Sequence, residues 1–157
     1  MKEYSTKDIR NVVLIGSAKS GKTTLSEAML FEGKVIARRG TVEDKNTVSD
    51  NEEIEKLNQR SIFATPLYAE FMNTKFNVID APGSDDFIGG AVSAFKVCEN
   101  GILVINAQQG VEVGTDIFAR YALFFIVASS IFVPVFYGVT QSQKYPKEDS
   151  LSLTYWL

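Results

Sequence analysis

The chain has 157 residues, which suits one compact domain and leaves no room for a second catalytic module. It is 45% hydrophobic and 22% charged, enough to build a core. Its net charge of −3 argues against a generally basic, nucleic-acid-coating surface, so no direct DNA binding is expected. Histidine is absent, which removes the usual general base and the commonest zinc ligand. A lone cysteine, Cys98, excludes an internal disulfide framework and every multi-cysteine metal site. These absences fit a reducing, cytoplasmic compartment, and the opening MKEYSTKDIR lacks the apolar stretch of a secretory signal.

Residues 12–15, Val-Val-Leu-Ile, form a short continuous apolar run, the pattern of a strand buried on both faces. A glycine-rich turn follows, then KTTLSEAML, in which Leu25, Ala28 and Met29 share a helical face. Residues 33–62 are polar and aperiodic and read as a long mobile loop, a length that in a compact domain signals function or disorder. Residues 67–72 and 75–80 read as strands joined at Asn73-Thr74, a hairpin. Asp86 is placed to cap a helix whose apolar face is Ile88, Ala91 or Val92, Phe95 and Cys98. Residues 101–105 form another buried strand, and Thr115 opens a helix through Tyr121. This alternation predicts an α/β fold, a mostly parallel sheet with helices on both faces.

The composition then changes abruptly. Residues 122–157 hold only four charged side chains but eight of the eighteen aromatics, and begin with an uncharged run to Val139. The division is therefore 1–121 as the α/β part and 122–157 as a divergent apolar tail. Three readings of residues 122–139 stand side by side: an aberrant or divergent end, an ordinary buried strand, and a membrane span. The last is disfavoured because the run falls short of the roughly 20 residues a span needs and contains Pro134.

Gly16-Ser17-Ala18-Lys19-Ser20-Gly21-Lys22-Thr23 satisfies G-x-x-x-x-G-K-[ST] between a buried strand and a helix, with Thr24 next. The loop must wrap a phosphate with successive backbone N–H groups, and glycines permit the close approach and unusual dihedrals. The helix N-terminus adds partial positive charge. Lys22 is suited to the β- and γ-phosphates and the Thr23 hydroxyl to Mg2+. A nucleoside triphosphate site is implied. Asp80 ends the strand FNVID and leads into Ala81-Pro82-Gly83. An acid at that strand end can hold the metal through water, and Gly83 can offer its N–H to a γ-phosphate.

GSAKSGKTTL, the Asp80-Ala81-Pro82-Gly83 motif followed by Asp86-Phe87, and GILVINAQQGVEVGTDIFARYA together resemble the start of a translational GTPase G domain. The resemblance covers about residues 9–121 and is nearest to elongation factor G and its relatives. It implies a P-loop NTPase fold, GTP and Mg2+ as ligands, and the ribosome as partner and activator. It also implies that residues 33–65 include the first switch and Gly83 to about Gly90 the second.

Four departures stand out. The family's histidine after the DxxG glycine is here Ser84, which can hydrogen-bond water but cannot become cationic. Aligning Arg60-Ser61-Ile62 with the family's Arg-Gly-Ile puts Phe63 where a metal-closing threonine belongs; Ser61 and Thr65 are near, but neither is in register. Lys19 replaces an aspartate associated with a monovalent cation; an exposed lysine near an anion is the leading reading, and a built-in cation between the phosphates the second. Finally, no N-x-x-D motif for guanine follows Asp80, so base specificity rests on the resemblance alone.

The leading expectation is an enzyme that binds GTP with Mg2+ and hydrolyses it slowly unless activated. Lys22 and Ser84 are its catalytic candidates, and Thr23 and Asp80 its metal ligands. A nucleotide-gated binding module without efficient hydrolysis is the second reading, and a different P-loop ATPase or kinase the third.

Overall fold

The computed structural model describes residues 3–126 and 137–138. Strand β1 (Ile9–Ile15) lies between two parallel neighbours, β3 (Thr74–Asp80) and β4 (Asn100–Ile105). Strand β2 (Thr65–Phe71) pairs antiparallel with β3 along its outer side, and Tyr137–Gly138 (β5) pairs in parallel with Val104 and Ile105. The order is therefore β2-β3-β1-β4-β5, mostly parallel as expected. Pro66 sits on the outermost strand, where a missing N–H costs no ladder bond.

The two-residue period of β1 distributes the core. Val12 and Leu14, with Val78, pack against Leu25 and Met29 of α1 (Lys22–Glu32) on one face of the sheet. Val13 and Ile15 point the other way, onto Ala91, Ala94 and Phe95 of α3 and Phe118 and Ala122 of α4. Helix α3 spans Ile88–Phe95 and α4 spans Val113–Ile126. Both faces are covered, which is why β1 reads as unbroken apolar sequence.

Several boundaries differ from the sequence reading. The hairpin turns at Met72-Asn73, both left-handed (φ 46° and 62°), one residue before the expected Asn73-Thr74. Methionine gives no signal for that conformation, so only Asn73 marked the turn. Asp86 caps nothing: it lies in a 3-10 turn over Asp85–Phe87, and α3 begins after it. Cys98 lies beyond the end of α3 but is buried in the same core. Helix α4 starts two residues before Thr115, whose hydroxyl accepts the Glu112 N–H. It also continues past Tyr121, with Ala122 fully buried, so the compositional break at 121/122 falls inside a helix.

Residues 33–62 are more ordered than their composition suggests. They contain a short helix, α2 (Glu53–Asn58), opened by a reciprocal capping box between Glu52 and Glu55. Thr47, Ser49, Asp50 and Glu55 of this segment are buried. Among the described residues no helix is long and apolar enough to cross a membrane. The span reading concerned residues 122–139, of which 127–136 and 139 lie outside the described residues.

Candidate functional site

Strand β1 delivers the chain into a loop whose shape depends on glycine. Gly16 has φ 140°, and a Cβ there would run into the Val104 carbonyl of the neighbouring strand. Gly21, with φ 102°, caps the start of α1. Ser17 is buried and its hydroxyl donates to Glu112 Oε2 at 2.6 Å. Ala18 and Lys19 form an exposed crest, Lys19 in the left-handed region (φ 60°), and Asn106 Nδ2 donates to the Lys19 carbonyl at 3.3 Å. Ser20 is buried and Thr24 is exposed at the helix entrance.

Lys22 folds back beneath this loop, its ammonium donating to the carbonyls of Gly16 (3.1 Å) and Ser17 (2.8 Å). Burial lowers its pKa to about 8, against the pull of Asp80 and Asp50, which favour the charged form. Gly83 passes so close that a Cβ would meet Lys22 Nζ and the Gly16 carbonyl. Ala81 and Pro82 are buried behind it. Ser84 is half-buried at the rim, its carbonyl accepting the Phe87 N–H at 3.0 Å.

Two carboxylates and several hydroxyls converge beside the loop. Asp80 is fully buried; Ser26 Oγ donates to its Oδ2 at 3.3 Å, while among the described residues nothing donates to Oδ1. Burial pushes this carboxyl above the usual range, opposed by the Lys22 charge. Asp50 is buried too, with neither oxygen hydrogen-bonded among the described residues. Its pKa is pushed up to about 6 by burial, with the Ser61 hydroxyl pulling the other way. Thr23 Oγ1 and Ser61 Oγ stand 3.2 Å apart.

A buried carboxylate oxygen without a donor is costly, and here two residues carry such atoms around hydroxyl oxygens. That donor set fits a hard divalent cation. Among the described residues no three His, Cys, Asp or Glu side chains gather as a cage, so the protein alone does not complete a metal shell. Mg2+ is such a hard cation, and it is usually bound by one or two carboxylates together with phosphates and water.

The loop opens onto a cavity of about 440 Å³, lined also by Asp50, Ser61, Gly83 and Ser84 and by Asn106, Gln108 and Gln109. Of the residues expected from sequence, 18–24, Gly83 and Ser84 line it; Gly16 and Ser17 lie beneath, and Asp80 to one side. The sequence reading missed Asp50 and set Ser61 aside as out of register, yet both line the cavity. Glu27 of α1, fully buried, accepts the N–H groups of Gly40 (2.7 Å) and Val48 (2.6 Å) and so holds the segment that carries Asp50. Arg60 stacks its guanidinium over the Phe87 ring at 5.7 Å, joining the first segment to the turn after Gly83. For Asp50 and Glu27 the sequence signal was the acidic residue type itself, Glu27 in a helix that otherwise reads as amphipathic.

A glycine-dependent loop between a parallel strand and a helix, facing an aspartate at the neighbouring strand's end, defines a P-loop nucleotide-binding fold. The model of the elongation factor Tu GTP binding domain matches residues 7–133, and the chain belongs to this family of translational GTPase G domains. It is 38% identical over 104 residues to an elongation factor G-like protein of Mycobacterium tuberculosis, covering 66% of this chain and 15% of that one. It is 33% identical over 109 residues to the tetracycline resistance protein TetM of Enterococcus faecalis, covering 69% and 17%. A crystal structure from Thermus thermophilus superposes with a TM-score of 0.71 at 35% identity, covering 73% of this chain and 17% of that one. A bacterial selenocysteine-specific elongation factor gives 0.58 at 25% identity, covering 72% and 17%. The chain thus spans about one-sixth of the length of these relatives.

Proposed function

We propose that this chain binds GTP with Mg2+ in the loop of residues 16–24 and hydrolyses it slowly in the absence of an activator. One observation carries the reading: the Lys22 ammonium is held under a glycine-shaped loop beside two buried aspartates, each with a carboxylate oxygen that accepts no hydrogen bond among the described residues. In the cavity, the Lys22 ammonium would neutralise β- and γ-phosphate oxygens, exchanging two carbonyl partners for anionic ones. The Thr23 hydroxyl and Asp80 would hold the metal, Asp80 through water, with Asp50 nearby in the cavity wall. Bound Mg2+ supplies charge neutralisation at the phosphates. Gly83 would offer its N–H to the terminal phosphate, a role supported by its close approach to Lys22, which a Cβ would prevent.

Ser84 is the residue available at the rim to orient an attacking water. Its hydroxyl is short and stays neutral, so it places water without adding positive charge, and turnover depends on an external activator. The ribosome is that activator by kinship with the elongation factors, and the cytoplasm the compartment. A role in translocation follows the same kinship. Lys19 is exposed on the crest of the loop, which suits a solvated lysine near an anionic ligand better than a built-in cation.

A second reading, a nucleotide-gated module without efficient hydrolysis, is favoured specifically by the lack of any histidine. Magnesium-dependent binding of a fluorescent GTP analogue, competed with GTP and with ATP, tests the proposal. Displacement by GTP alone is expected; equal displacement by ATP would move the chain to another P-loop class. Single-turnover hydrolysis with and without ribosomes then separates the enzyme from the gated module.

A further inference from the structure

We propose that Ser61 is the hydroxyl that the first switch segment contributes to the shell of the divalent cation, in place of residue 63. The inference rests on the magnesium–nucleotide reading above and assigns a ligand within that site.

The backbone after Ser61 is held by Glu55. This buried carboxylate accepts the N–H groups of Ile62 (3.0 Å) and Phe63 (3.1 Å) on one oxygen, while its other oxygen accepts the Glu52 N–H at 3.3 Å in the cap of α2. With both amides turned toward Glu55, Phe63 faces solvent at 53% exposure and Ser61 faces inward, half-buried. Phe63 has no oxygen to give a metal, so a side chain at this position contributes nothing there.

Ser61 has what Phe63 lacks. Its Oγ is 3.2 Å from Thr23 Oγ1, the hydroxyl at the end of the phosphate loop. Neighbouring oxygens on an octahedral Mg2+ with bonds of roughly 2.0–2.1 Å lie about 2.9 Å apart, so the two hydroxyls need shift only slightly to share one cation. The open oxygens of Asp50 and Asp80 supply negative charge on the same side. A shared cation would bring the two hydroxyls and the open oxygens of both carboxylates to one point.

The test is the Mg2+ dependence of fluorescent GTP retention by the full chain, comparing wild type with S61A, S61C and F63A. S61A is expected to raise the Mg2+ concentration for half-retention by about 10- to 100-fold, the range typical for loss of a metal-shell contact. F63A should match wild type. S61C should be impaired in Mg2+ but recover in Cd2+, because a sulfur ligand prefers the softer ion. That recovery is the signature a merely structural serine would not produce. Equal Mg2+ dependence of S61A and wild type overturns the inference, as does an S61C defect identical in Mg2+ and Cd2+. A folded wild-type chain that retains no nucleotide at any Mg2+ concentration overturns the parent reading, and is distinguishable because it precedes any variant.

Discussion

Residues 9–32 and residues 33–64 meet at the same site but are held by different forces. The first stretch is anchored by apolar burial on both faces of the sheet and by glycine dihedrals that no other residue adopts comfortably. The second has almost no apolar anchor; Ile54, Leu57 and Phe63 are exposed, and two carboxylates, Glu27 and Glu55, do the holding through backbone N–H groups. Hydrophobic register is spread over many residues, whereas a carboxylate clamp is lost with one side chain. A segment docked by a few polar contacts is expected to open locally more easily than the platform beneath it.

The largest effect should come from breaking the platform's chemistry. Lys22→Ala is expected to weaken nucleotide binding by roughly 100-fold, about 3 kcal/mol, the upper range for a hydrogen bond to a charged group. Titration of the fluorescent analogue measures it, and an unchanged affinity would remove Lys22 from the site. Glu27→Ala should come next, since it strips acceptors from Gly40 and Val48 together. We expect local opening of residues 40–48 to become easier by about 2 kcal/mol. Limited proteolysis should then cleave that stretch roughly 30-fold faster, with far-UV circular dichroism nearly unchanged; equal cleavage rates would show that something other than Glu27 docks the segment.

Gly83→Ala sharpens the contrast at the junction of the two regions. The new Cβ must displace Lys22 Nζ and also the backbone of Gly16 and Ser17, at about 1–3 kcal/mol by the usual cost of overpacking. Thermal denaturation reads that loss, and a melting temperature equal to wild type would mean that the turn relaxes freely. The smallest effect concerns the core beneath the platform. Burial pushes the Cys98 thiol up to about 12, from 9.0 in the unfolded chain. Below pH 9 both states keep the proton, so this group's contribution is intact; between pH 9 and 12 only the unfolded chain ionises, and stability declines. Wild type should therefore lose stability over that window more steeply than Cys98→Ala. At pH 8 the folded chain should react negligibly with a thiol reagent, and fast labelling would place Cys98 at the surface.

What could be read in advance follows the same division. β1, the loop, α1, the end of β3 and Asp80 were legible because periodicity and glycine spacing are local properties. The hairpin was legible but for one residue, since Met72 adopts a left-handed conformation only because its neighbours pair. Asp86 failed as a cap because the turn at Asp85–Phe87 took up the chain first. Helix α4 was cut short at Tyr121 because a change in composition looked like a change in structure, although Ala122 continues the buried face of Phe118.

By itself the sequence determined the individual strands, a strand–loop–helix platform and the glycine-lysine motif on its loop, all of which depend on residues adjacent in the chain. Only the tertiary structure decided that Asp50 and Ser61 join Asp80 and Thr23 at one place. It did so because buried polar residues leave no periodic trace. Their positions follow from where Glu27 and Glu55, tens of residues apart, find backbone donors to satisfy.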